Sequence, residues 1–332
     1  MFRSTRGFIR SSLPYVAAFA GILNLAAFSS GQDRLDNGAA FPSRPAGVPN
    51  NFVVTPFGYF HPSCVRGIAE GEALLPDGRV QHANGAVDAN VPVCTYPHYT
   101  STGARISADM RELSPAIAPV ISGWLEYISV TTSTLYTKIS ATWPVPAAPT
   151  NYHGQTDFFF PGFEDINNIL SIVQPVLQFG PSAAGGGKYW AMSSWNCCMS
   201  GTVWHSGLVK TKSGDSILGT ITPTCKNGSG NCATWRIVTE DTTTAKKTTL
   251  NKTPADGQVW NWAFGAVLEA YGVNQCGDLP PDNSVVFTVQ LYDENHNLIP
   301  DPAWIGTPAG AGVSPQCNYG LNVTPTQETL LY

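Results

Sequence analysis

The strongest constraint on the fold is a train of short alternating stretches between Ser122 and Asp293. Apolar and polar residues alternate at 124–130, 134–143, 155–160, 169–179, 189–195, 202–210, 216–222, 234–240, 247–251, 259–271 and 284–292. Period-two patterning puts successive side chains on opposite faces of a strand, and Gly, Asn and Pro punctuate the gaps as turns. A parallel sheet would need crossover helices, and no such segment separates these runs. The pattern therefore predicts an all-β, two-sheet antiparallel β-sandwich or jelly roll. Composition agrees, since charged residues are only 12% of the 332, with 32 Gly and 26 Pro. That charge share is about half of what is usual.

Residues 1–31 read as a signal peptide: Arg3, Arg6 and Arg10 precede an apolar run from Leu13 to Phe28, and Ser29, Ser30 and Gly31 follow. The expected destination is secreted, extracellular. Removing this segment takes basic residues only, so the mature chain is more acidic than the formal charge of −5. An acidic surface argues against nucleic acid as a partner. No later stretch is long and apolar enough to span a bilayer, so no membrane association is expected after signal removal. A monomer is expected.

Residues 32–118 form a leader. Up to about 56 it is rich in Pro, Gly and Asn without periodicity. From Gly58 to Tyr96 the turn signals Pro76-Asp77-Gly78 and Asn84-Gly85 lie between Cys64 and Cys94, which predicts a small β unit clipped by a disulfide. Two readings stand side by side, a pro-segment and a structural β extension of the main domain. A modest helical pattern at 104–121, limited by Pro115 and Pro119, marks the boundary with a β-sandwich domain at 119–300. Residues 301–332 read as a loop-like C-terminal tail tied to the domain through Cys317.

All eight cysteines lie beyond residue 31, an even number in an exported chain. Local loops favour Cys64–Cys94, Cys225–Cys232 and Cys276–Cys317, leaving Cys197 and Cys198 as a vicinal bond or as two free thiols. No C-x-x-C or other zinc spacing is present. Sequons at Asn227, Asn251 and Asn322 would carry glycans in a secreted eukaryotic protein. Familiar catalytic signatures are also missing. There is no G-x-S-x-G and no H-E-x-x-H, and Gly185-Gly186-Gly187-Lys188 lacks the Ser/Thr and the helix of a phosphate loop. It reads as a hairpin turn.

Two amphipathic strands about ninety residues apart hold the remaining candidates. In the first, Val173, Leu177 and Phe179 oppose Gln174, Val176 and Gln178. In the second, strict alternation groups Trp260, Trp262, Phe264 and Leu268 against Asn261, Gly265, Glu269 and Tyr271. A sandwich buries one face of each sheet, so Gln178 and Glu269 should project together from an outer face. Phe160, Trp190, Trp195 and Trp204 could line that groove or fill the core.

The order of motifs from Ser122 to Tyr292 resembles the eqolisin family of glutamic peptidases. Ser122-Gly123-Trp124 resembles S-G-N-W, Ala141-Thr142-Trp143-Pro144-Val145-Pro146 resembles T-F-T-V-P, and Phe160-Pro161-Gly162-Phe163-Glu164 falls where W-V-G-I-D is usual. Val176-Leu177-Gln178-Phe179-Gly180 resembles I-L-Q-T-G, Tyr189 to Trp195 parallels an aromatic strand, and Ser213-Gly214-Asp215-Ser216-Ile217 resembles A-G-D-S-I. Leu268-Glu269-Ala270-Tyr271 falls where A-E-W-I is usual. The resemblance implies a lectin-like (concanavalin A) sandwich and a secreted, acid-acting endopeptidase without cofactor or metal. It implies Glu269 and Gln178 as catalytic residues, with Phe160, Glu164, Gln174, Trp190, Trp195 and Tyr271 binding a polypeptide substrate. The chain departs from the family at Phe160, at Glu164 and at Ala270, where an aromatic is usual. Leu268-Glu269-Ala270-Tyr271-Gly272-Val273 is also similar to the I-E-W-G-G of neprosin-type peptidases, which pair two glutamates, whereas the first site here is Gln178.

These side chains suit the chemistry. A Glu269 carboxylate can take a proton from an attacking water and return it to the leaving amine, while the Gln178 amide donates to the developing oxyanion. A near-normal glutamate would place activity in acid. Two alternatives remain, a non-catalytic carbohydrate-binding or structural jelly roll, and a glycoside hydrolase using Glu269 with Glu126, Glu164 or Asp165.

Overall fold

The computed structural model describes residues 44–90, 93–107, 123–167, 171–198, 201–226 and 230–332. The signal-like residues 1–31, the leader up to 43, and the helical pattern beyond Ser107 lie outside the described residues; of that pattern, Arg105–Ile106 is a strand. In chain order the strands are β1 (Val53–Thr55), β2 (Gly58–Phe60), β3 (Val65–Ile68), β4 (Ala73–Leu74), β5 (Val80–Gln81), β6 (His98–Tyr99), β7 (Arg105–Ile106), β8 (Trp124–Thr131), β9 (Lys138–Pro144), β10 (Thr156–Glu164) and β11 (Ile172–Ser182). They continue as β12 (Gly185–Cys197), β13 (Val203–Ser206), β14 (Val209–Lys210), β15 (Ser216–Pro223), β16 (Thr234–Asp241), β17 (Lys246–Pro254), β18 (Trp262–Tyr271), β19 (Ser284–Tyr292), β20 (Ile305–Thr307), β21 (Gly320–Val323) and β22 (Gln327–Leu331). Every one of the expected runs contains a strand.

Two large sheets form the sandwich. One has the order β20-β8-β18-β10-β11-β12-β13-β3, with β14 also on β12; the other runs β17-β16-β15-β9-β19-β22-β21. Between them lies an apolar core that includes Trp143, Phe159, Phe163, Leu177, Phe179, Trp235, Trp260, Leu268 and Phe287. Apart from the parallel β13–β3 pair, the ladders of both sheets are antiparallel, as the absence of crossover helices requires. Among the described residues no helix is long and apolar enough to cross a membrane.

The tail differs from its expectation. Residues 301–332 are not loop-like: β20 pairs with β8, and β22 pairs with β19 inside the second sheet. Leu330 and Tyr332 are buried in the inter-sheet core, so this segment completes the sandwich. The alternating residues Glu328 and Leu330 point inward and Gln327 and Thr329 outward, a weak pattern in a five-residue strand.

Strict alternation also fails in β18. Its ladder with β8 slips between Phe264 and Ala266, and with β10 beside it, which marks a β-bulge at Gly265. A bulge adds one residue on one strand and exchanges the faces that follow. Trp262 and Phe264 therefore share the outer face with Val267 and Tyr271, while Ala263, Ala266 and Leu268 face the core.

The outer face of the nine-stranded sheet is not open. The two ends of residues 44–106 pack on it, where a second apolar cluster joins Val48, Phe52, Val54, Tyr59 and Phe60 to Phe158, Phe160, Val176, Trp195, Trp262, Phe264 and Tyr271 of the sheet, while Ile68, Leu74 and Val80 from the middle of the segment join the inter-sheet core. Strand β3 extends the same sheet beside β13, register Val65↔Val203 to Ile68↔Ser206. The Cys64–Cys94 bond closes within this covering layer. The other bonds, Cys197–Cys198, Cys225–Cys232 and Cys276–Cys317, close within the sandwich, so the vicinal pair is bonded and not free.

Candidate active site

Strand β10 sets the geometry of the site. Phe158 pairs with Gln178 on β11 and with Glu269 on β18, so the two candidates flank one residue and project from the same outer face. Strand spacing places their Cα atoms about 10 Å apart, with the Phe158 ring between them. That is close enough for both side chains to reach one small group. Both are fully buried, at 0% exposure, because the 44–106 layer lies over them.

Glu269 is held from two sides. The hydroxyl of Tyr271, two residues on and therefore on the same face, donates to Glu269 Oε1. Trp124 of β8 stands opposite Glu269 in the ladder. Gly123 has φ +91°, and a Cβ there would come within 3.1 Å of Glu269 Cγ and 3.0 Å of Tyr271 Cζ, so this position admits only glycine without displacing both. Burial holds the Glu269 carboxyl well above the ordinary glutamate range; Tyr271 and Trp124 pull the other way, and Glu164 adds to the rise. The expectation of a near-normal glutamate therefore does not describe the covered site, because the layer above excludes the water that would solvate the charge.

Gln178 is held by its own hairpin. Its Nε2 donates to the carbonyls of Gly180 at 3.0 Å and Gly185 at 3.1 Å, and its Oε1 accepts from Ser182 Oγ at 2.9 Å. Gly180 is irreplaceable here, since a Cβ would lie 1.9 Å from the Gln155 carbonyl oxygen.

The covering layer touches the same residues. Gln174 Nε2 donates to Pro56 O at 2.9 Å, Ala183 N donates to Val54 O at 2.8 Å, and the Tyr59 ring meets the Tyr271 ring edge-on at 5.3 Å. The β1–β2 hairpin thus runs from the tip of β11–β12 across to Tyr271. One carbonyl of β1 and one of its turn thus accept from the Ala183 amide in the β11–β12 turn and from the Gln174 side chain.

The other candidates divide between the two faces. Phe160 and Trp195, left open between groove and core by their sequence pattern, lie on the outer face, and both are sealed under the cover. Trp190 and Trp204 belong to the inter-sheet core; Trp190 packs on Phe159 and Phe179, so it does not line the groove. The reason is register: Trp190 pairs with inward-facing Phe179 across β11–β12. Glu164 is on the outer face, paired with Trp262 and Ile172, and burial raises its carboxyl to about 8. It sits six residues from Phe158 along β10, so its Cα lies about 20 Å along the strand from the level of Glu269, although the two carboxyls still couple, Glu164 raising Glu269. A glycosidase pair needs about 5–10 Å.

The other acids proposed for that rival are also misplaced. Glu126 pairs with inward-facing Leu268, and Asp165 accepts from the Asn167 and Val259 amides. Trp124 and Ser182 were not singled out from sequence as site residues. The only signal for Trp124 was the S-G-N-W-like opening, and for Ser182 its place in the turn just after Gln178. Among the described residues no group of three or more His, Cys, Asp or Glu is placed to hold a metal ion.

No family model matches this chain, and no curated protein matches its sequence. Solved structures similar to it include scytalido-glutamic peptidase with a peptide-based transition state analog, at 16% identity and TM-score 0.44, over 63% of this chain and 98% of that one. Another is SCP-B, a member of the eqolisin family in complex with the tripeptide Ala-Ile-His, at 16% identity and TM-score 0.43 over the same shares. A third is aspergilloglutamic peptidase from Aspergillus niger, at 16% identity and TM-score 0.38, over 53% of this chain and 98% of that one. The likeness is one of fold.

Proposed function

We propose that this chain is the latent form of a secreted glutamic-type endopeptidase. Its catalytic pair is Glu269 and Gln178, and residues 44–106 act as a pro-segment over the site. The observation that carries the reading is the placement of Gln178 and Glu269 on either side of Phe158, on one face, beneath a peptide segment whose carbonyls are bound by Gln174 and the Ala183 amide.

With the segment displaced, water reaches Glu269 and its carboxyl falls toward the ordinary range. The carboxylate then takes a proton from a water attacking the scissile carbonyl. Tyr271 and Trp124 keep the carboxylate aimed at that water, and the Gln178 carboxamide donates to the oxygen that gains charge. As the tetrahedral centre collapses, the proton on Glu269 passes to the leaving amine. Neither step needs a group that the chain does not supply. Buried carboxyls elsewhere favour the folded state in acid, which suits an acid-acting enzyme.

Casein digestion between pH 2 and 7 tests the reading, using a chain with an engineered protease site between Ile106 and Gly123, cut before assay. Wild type should cleave in acid. Glu269→Gln and Gln178→Ala should each lose about a hundredfold or more in kcat. A wild type silent over the whole range, or activity that survives in Glu269→Gln, defeats the assignment.

A further inference from the structure

We infer that Ser182 is the positioning residue for the Gln178 carboxamide, and that the Gly185 carbonyl stands in for the substrate oxygen which that carboxamide meets. The inference rests on the peptidase reading above. A carboxamide has two N–H donors and an acceptor oxygen, and rotation by half a turn exchanges them. At Gln178 each is occupied: Oε1 by Ser182 Oγ at 2.9 Å, one N–H by Gly180 O at 3.0 Å, the other by Gly185 O at 3.1 Å.

The three partners differ in how firmly they stand. Gly180 is wedged, with no room for even a Cβ beside Gln155. Ser182 accepts from the Ala184 amide at 3.2 Å, which leaves its single proton for Gln178 Oε1. Its alternative acceptor, Gly185 O, lies farther off at 3.3 Å. Gly185 has φ +103°, is exposed at the start of β12, and would meet only Leu208, at 3.7 Å, if it carried a Cβ. Of the three partners it is the exposed one, at the last pair of the β11–β12 ladder, where the strands can open without unpairing the rest.

Two fixed bonds therefore set the plane and sense of the amide, and the third N–H points at an exchangeable carbonyl. When the Gly185 carbonyl swings out, that N–H is free for an oxygen of the same type, the scissile carbonyl as it becomes an oxyanion. No covalent bond forms or breaks in this exchange; one hydrogen bond to a peptide oxygen replaces another. Without Ser182, only the Gly180 carbonyl opposes the flipped form, in which Oε1 would face the oxyanion.

The cut chain described above, with a peptide substrate in acid, provides the test through kcat and KM measured separately. Ser182→Ala should lower kcat about tenfold with KM within about twofold and an unchanged melting temperature, as expected for one hydrogen bond that acts on the reacting oxygen. Ser182→Thr should restore most of the loss. If the cut wild type cleaves and Ser182→Ala keeps its kcat, the positioning role is wrong while the peptidase reading stands. A loss in Ser182→Ala that follows melting temperature and is not recovered in Ser182→Thr also overturns it. A cut wild type that cleaves nothing overturns both.

Discussion

At Glu269 the charged form is opposed by burial and supported by two donors, and the Tyr271 hydroxyl is the first of them. Removing that donor shifts the balance in a defined direction. In the cut Tyr271→Phe chain the Glu269 carboxyl should titrate higher than in the cut wild type, since a hydrogen bond to the carboxylate favours ionisation. The acid-side limb of the pH–rate profile should move up with it, by roughly one pH unit for one such bond. A limb that stays in place removes Tyr271 from the charge balance. Part of this was legible in the chain. Residues i and i+2 share a face of a strand, so Tyr271 beside Glu269 follows from spacing alone. Its hydroxyl contact does not, and Trp124 comes from a strand some 145 residues earlier, which no local pattern connects to Glu269.

Strand β18 shows where alternation stops being informative. The residues on either side of Gly265 obey a period of two, yet the bulge there exchanges faces, so Trp262 and Phe264 join Glu269 instead of opposing it. Gly265 is the signal that was available, since an isolated glycine in a strand marks a bulge or a close approach. Here it is both: a Cβ would lie 2.0 Å from Glu328 Oε1. Gly265→Ala should therefore destabilise the fold by roughly 2 kcal/mol or more, measured by urea unfolding, as a buried carboxyl is forced from its place. A change below about 0.5 kcal/mol would mean that β18 and β22 are not packed as described. By contrast the β11 faces came out as alternation predicts, because that strand is regular from Ile172 to Phe179.

The whole molecule carries an unusual load of buried acid. Burial raises Glu126 and Glu164 to about 8, and raises Asp157, Glu269 and Glu328 well above the ordinary range. A carboxyl whose folded value is raised holds its proton in the native state where the unfolded chain has lost it. Its stabilisation is then complete below about pH 4.5 and is lost as pH rises toward 8. The melting temperature should therefore be highest in acid and fall by roughly 10 °C or more between pH 4 and pH 8; a flat or rising profile would contradict these burials. The sequence showed a chain of few charges with acids in slight excess but not which acids are sealed, because sealing depends on both sheets and on the layer above them.

The covering layer is what separates a latent peptidase from an inert sandwich. Residues 44–106 hold one internal disulfide and none to the sandwich, so a single cut between Ile106 and Gly123 leaves only non-covalent contacts. The most direct measurement is the rate of casein cleavage at pH 3–4 by one preparation before and after that cut, beside Glu269→Gln treated identically. A rise of about a hundredfold or more is expected on cutting in wild type and none in Glu269→Gln. Equal rates before and after the cut, or the same rise in Glu269→Gln, would contradict it.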